Sequence, residues 1–124
     1  MRLLLCLLLT GCINTLGPEE WATPIWPPPS AQADYTWVWD HCVSTIRAGP
    51  RWPLHKIRWY EIPGDQFTWR ENQVYGTFHD GAITLASAWV PDTSVLGRVV
   101  RRHELLHAES GDNSHPPWMA ACAL

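Results

Sequence analysis

Five of the eleven prolines in this 124-residue chain fall between Pro18 and Pro29, three of them consecutive in Trp26-Pro27-Pro28-Pro29-Ser30. Proline fixes φ and has no backbone donor, so such a stretch disfavours helix and interior strand. It suits an extended, polyproline-like spacer instead. Residues 12–33 are therefore expected to form a tether and residues 34–124 the folded domain. About ninety residues can build one hydrophobic core and not two. Nine tryptophans argue against disorder over most of that length, because indoles need somewhere to be buried. With few Leu and Phe to fill a core, most of Trp37, Trp39, Trp52, Trp59, Trp69, Trp89 and Trp118 are expected to pack inside. Charged residues make up 17% of the chain, the net charge is −3, and no run is polybasic. That composition excludes the electrostatic footprint of a nucleic-acid binder.

Ahead of the tether, Met1-Arg2 followed by Leu-Leu-Leu-Cys-Leu-Leu-Leu is a short basic and then apolar leader. It is too short to span a bilayer as a helix, and residues 1–11 are expected to be a secretory signal. The run ends Leu9-Thr10-Gly11-Cys12, which resembles a bacterial lipobox. The resemblance implies a lipidated Cys12 as the mature N-terminus, export, and attachment to the membrane of the cell envelope. Cys6 would leave with the signal, so Cys42 and Cys122 remain. Two cysteines in an oxidising compartment are expected as one disulfide.

Within the domain, Asp34 to Ile46 has a helical pattern, with Val38, Cys42 and Ile46 at four-residue spacing. Lys56 to Ile62 alternates and stops at Pro63-Gly64-Asp65, as a strand and turn would. Gln73 to Phe78 and Ala82 to Ser87 flank His79-Asp80-Gly81, a strong hairpin signal. Pro91-Asp92-Thr93-Ser94 supplies helix-start residues, with Asp92 or Thr93 as the expected N-cap. Val95 to Ser110 reads as a helix closed by Gly111. The order predicts an α+β domain: an N-terminal helix, a small twisted sheet of three or more strands, and a C-terminal helix.

That last helix contains Arg102-His103-Glu104-Leu105-Leu106-His107. Histidines four residues apart project from one helix face and suit two ligands of a tetrahedral zinc. Glu104 lies at the edge of the same face, where it can take a proton from a zinc-activated water without binding the metal. A catalytic zinc normally has a third protein ligand. Glu109 is two residues past His107 and points away, whereas Asp112 and His115 follow the Gly111 break, where the chain can turn back. His115 is the expected third ligand. Asp112 is the alternative, either as a ligand or as acceptor for a ligand imidazole. A further donor opposite the metal would polarise a substrate carbonyl, and Tyr60, Tyr75, His79 and His55 are the candidates. Arg98, Arg101 and Arg102 are expected on the solvated side of the helix. Met119 is expected in the core.

His103-Glu104-Leu105-Leu106-His107 resembles the signature of the zincin metallopeptidases. The resemblance implies a minimal zincin-like fold with one zinc per chain, His103 and His107 as zinc ligands, and Glu104 as general base. It also implies a peptide or protein substrate held along an edge strand, for which Ala82 to Ala86 is the counterpart. It covers about Ala82 to Pro116. Metzincins place Gly three residues and a third His six residues after the second His, where this chain has Ser110 and Asn113, with Gly111 and His115 displaced to four and eight. The thermolysin-like Glu downstream is missing, since no Glu follows Glu109. The sequence thus points to a monomeric, lipid-anchored peptidase at the cell envelope. The competing expectation is a non-catalytic envelope lipoprotein, with a structural zinc and a Trp-rich face for glycan or a partner.

Overall fold

The structure, a computed structural model, describes residues 16–122. The leader at residues 1–11 and Cys12 lie outside the described residues. The elements are strand β1 (Thr23–Ile25), helix α1 (Ala31–Val38), strands β2 (Arg58–Ile62), β3 (Phe67–Trp69), β4 (Asn72–Val74), β5 (Gly76–His79) and β6 (Ala82–Ala86), then helices α2 (Val95–Ser110) and α3 (Pro117–Ala121). Four strands form one mixed sheet in the order β1-β2-β6-β5, and β3-β4 is a separate hairpin. β2 runs parallel to β6, and the β1 and β5 pairings are antiparallel. The expected α+β class and the helix–sheet–helix order are present.

α2 is the helix that the sequence marks most clearly, and its ends show why. Ser94 is extended at φ −146°, and its hydroxyl accepts a hydrogen bond from the Gly97 amide at 2.9 Å, so it caps the helix in place of the expected Asp92 or Thr93. At the other end Gly111 adopts the left-handed conformation, φ 74°, and its amide donates to the His107 carbonyl. Between them Val100, Leu105, Leu106 and Ala108 are buried, and α2 packs against α1, β5 and β6. The expected helix from Asp34 to Ile46 starts earlier, at Ala31, and gives way to a π-helical turn over Trp39–Val43. Cys42 and Val43 of that turn are buried in the core.

The folded part also begins earlier than residue 34. Pro18–Glu20 forms a 3₁₀ turn that lies against β6, with Pro18 buried, and Thr23–Ile25 pairs with Glu61–Trp59 of β2. Physically, a four-stranded sheet with one helical layer needs cover on its second face and along its open edge. The proline-rich segment supplies both. Pro24 is tolerated there because β1 is an edge strand.

β6 is buried along its whole length, as a central strand covered on both faces should be. The sheet edge nearest α2 is therefore β5, and the expected edge-strand role of Ala82 to Ala86 is corrected to Gly76–His79. The hairpin joining β5 and β6 turns at Asp80 and Gly81, both with positive φ (46° and 77°), the geometry of a type I′ turn. A Cβ at Gly81 would also come within 2.7 Å of the Trp52 ring. Gly81→Ala is expected to lower the unfolding free energy by about 1–3 kcal/mol, read from a chemical denaturation curve.

Most of the tryptophans serve the core as expected. Trp59 is buried, and Trp37, Trp39, Trp52, Trp89 and Trp118 pack against the buried cluster, which includes Met119. Trp21 and Trp26 are exposed. The expected disulfide is not formed: Cys42 and Cys122 are free thiols. Burial, reinforced by the neighbouring Cys122, pushes the Cys42 thiol up to about 12. Cys42 is thus held as a protonated thiol, the form that does not attack another sulfur.

Candidate metal centre

One turn of α2 separates His103 from His107, and their rings meet edge-on with centroids 4.8 Å apart. Past the Gly111 turn, the loop carries His115 back so that its ring stacks beside that of His103, centroids 5.0 Å apart and 14° from parallel. The three Nε2 atoms converge: His103 lies 3.0 Å from His115 and 3.2 Å from His107. Two nitrogens on a tetrahedral zinc, each about 2.0–2.1 Å from it, stand about 3.3 Å apart, close to these separations. Among the described residues this is the one group of three or more His, Cys, Asp or Glu side chains able to hold a metal ion.

The proton inventory favours a cation at that point. The Asp112 carbonyl lies 2.7 Å from His107 Nδ1 and can only accept, so Nδ1 carries the proton and Nε2 presents a lone pair. A single proton on His103 Nε2 could satisfy His107 or His115, but not both. Burial, with His107 and His115 nearby, pulls His103 down to about 4, which favours its neutral imidazole form. His107 is likewise lowered, chiefly by burial. Three converging imidazole nitrogens form a donor set that fits zinc.

The alternative ligand is placed differently from His115. The Asp112 carboxylate faces its own loop, accepting from the Ser114 amide at 2.9 Å and hydroxyl at 2.6 Å, and those bonds hold it below the usual carboxylate range. Asp112 serves the site through its backbone oxygen, which orients His107. The carboxylate turn stiffens the loop that carries His115.

Glu104 is buried, and desolvation pushes its carboxyl up to about 8. A dication among the histidines would draw it back down. Glu104, His103, His107 and His115 all line one cavity of about 460 Å³. β5 passes directly over Glu104 at Gly76, where a Cβ would lie 3.3 Å from Glu104 Cγ. A larger residue there would press on the carboxylate arm. Nothing in the spacing of the sequence marks Gly76, because the contact is made only when strand and helix pack.

The candidate polarising donors separate. Tyr75 lines the cavity and meets Trp89 edge-on, centroids 6.0 Å apart. His79 Nδ1 is instead 2.7 Å from the Glu19 carboxylate, Tyr60 accepts from Arg58, and His55 borders a crevice with Pro27–Pro29. Glu109 points away from the histidines and is buried, both oxygens without a hydrogen-bond partner among the described residues. Desolvation, then Asp40, pushes it up to about 9.

The arginines depart from expectation. Arg98 is exposed, but Arg101 is fully buried and paired with Asp34, and Arg102 pairs with the same carboxylate while stacking over Trp37. Apolar periodicity cannot reveal this, since the partner lies 67 residues away from Arg101.

The fold and site thus define an α+β domain with a three-histidine group, on and just after its long C-terminal helix, that could hold a metal ion. The chain matches no protein-family model, no curated protein and no solved structure.

Proposed function

We propose that this chain is a zinc-dependent peptidase, tethered to the bacterial cell envelope through a lipidated Cys12. The observation that carries the reading is the convergence of three imidazole Nε2 atoms in a cavity that also holds the buried carboxyl of Glu104. A site that only stabilised the fold would not need a buried carboxyl beside its ligands. His103, His107 and His115 would hold the zinc, which when bound supplies Lewis acidity and makes water nucleophilic near neutral pH. Glu104 would accept the proton of the attacking water and pass it to the leaving amine. The Asp112 carbonyl keeps His107 in the ligating tautomer. Tyr75 is the candidate donor placed in the cavity, suited to the developing oxyanion.

The test is a digest of a mixed peptide library by the purified protein, with and without chelator. Cleavage should stop with chelator and return with zinc. Glu104→Gln should keep about one zinc per chain and lose at least about a hundredfold in rate. A zinc-loaded protein that cuts no peptide would leave the metal as a structural element of an envelope lipoprotein.

A further inference from the structure

Beyond the histidines and Glu104, no side chain lining the cavity carries a charge. Its walls are Leu96 and Val99 from the first turns of α2, Val74 at the end of β4, Phe78 of β5, and Trp69 from the hairpin. A charged side chain entering there would be desolvated without a partner, whereas an apolar one would replace water against apolar surface. Leu96 is 41% exposed, apolar area that this fold leaves uncovered at the mouth.

Trp69 is held in place by the hairpin turn and by the rings and charges around it. The β3–β4 hairpin turns through Arg70 and Glu71, both left-handed (φ 52° and 66°), which gives the tight twist of a type I′ turn. The Arg70 guanidinium lies over the indole, 4.3 Å from its centroid, and the His79 ring meets it edge-on at 6.2 Å. His79 is fixed in turn by Glu19 at 2.7 Å. The hairpin is not part of the main sheet, so this chain of contacts ties the indole to the β5 edge and to the N-terminal segment. Among the described residues β5 has a strand partner on one side only. An extended peptide alongside it would present alternate side chains to the cavity.

We propose that this cavity receives a large apolar side chain, aliphatic or aromatic, of a peptide substrate, and that Trp69 sets this preference from the β3–β4 hairpin. The proposal deepens the peptidase reading and rests on it. Side-chain pockets of this kind discriminate by roughly 10- to 200-fold for small changes in apolar bulk.

Calorimetric titration of the zinc-loaded full chain with acetohydroxamate and with the hydroxamates of leucine, phenylalanine and aspartate reads the preference without catalysis. The leucine and phenylalanine compounds should bind at least about tenfold more tightly than acetohydroxamate, and the aspartate compound no more tightly. Trp69→Ala should erase most of that advantage and leave acetohydroxamate unchanged. Val99→Phe, which fills the cavity from the helix, should do the same without touching the hairpin. Equal binding of all four compounds, or unaltered selectivity in both variants, overturns the proposal. Side-chain selectivity in a protein that cleaves no peptide would count against the peptidase reading alone, and cleavage indifferent to side chain would count against the pocket alone.

Discussion

His115→Ala is expected to weaken zinc binding by roughly a hundredfold to a thousandfold while leaving the fold intact. Structural zinc sites yield about 10–16 kcal/mol from four ligands, or about 2.5–4 kcal/mol for each, and every 1.4 kcal/mol is about tenfold. His115 sits in the exposed loop after Gly111, outside the buried core, so its loss removes a nitrogen from the cluster and little packing. Asp112→Ala provides the contrast. Among the described residues the Asp112 carboxylate bonds only to Ser114, and the carbonyl that orients His107 survives the substitution. Its effect should stay below about tenfold, less than is usual for losing an acceptor that orients a ligand. Competition with a chromogenic chelator measures both. A large loss in Asp112→Ala with little loss in His115→Ala would mean that the carboxylate, not His115, completes the metal set.

The parts of this architecture legible in the sequence are those encoded locally. α2 announces itself through its apolar periodicity, a serine-containing start and a glycine stop, and the histidine pair inherits its geometry from the helix. His115 becomes a candidate because Gly111 frees the chain to turn back. Even the N-cap error is local: three capping residues stand in a row, and only the extended backbone at Ser94 selects among them. What sequence reasoning missed is encoded over long separations. The proline-rich segment looks like a spacer until the sheet needs an edge partner and a second cover, which Thr23–Ile25 and Pro18 provide. The edge strand was mistaken although a signal existed. Ala82-Ile83-Thr84-Leu85-Ala86 has no charged or strongly polar residue on either face, the pattern of a strand covered on both. Gly76-Thr77-Phe78-His79 lacks that continuous apolar run.

Asp34→Ala should cost up to about 3–5 kcal/mol of folding stability, because it leaves a fully buried guanidinium with only the exposed Asp92 carboxylate as countercharge. Arg101 Nε lies 3.0 Å from one Asp34 oxygen, and Arg102 Nε lies 3.0 Å from the other. Ser30 adds a hydroxyl donor at 2.9 Å, so one carboxylate answers three donors from α2 and the start of α1. The remaining Arg101 donors reach the Trp89 and Pro91 carbonyls, each at 2.9 Å, and the exposed Asp92 carboxylate. Those acceptors cannot move to replace Asp34, since they already bind the other end of the guanidinium. Replacing both partners by apolar residues, as in Asp34→Leu with Arg101→Met, should be milder than either single loss, because the fully buried charge leaves with its partner and only the partly exposed Arg102 loses an acceptor. Urea denaturation of the unmodified protein, Asp34→Leu, Arg101→Met and the double variant closes the cycle. The ion pair sits two residues before His103 on the metal helix, so the same proteins, assayed well below their melting temperatures, separate two roles. Unchanged zinc affinity in folded Asp34→Leu would make the pair a clasp between α1 and α2. A parallel fall in affinity would mean that the clasp also sets the position of His103.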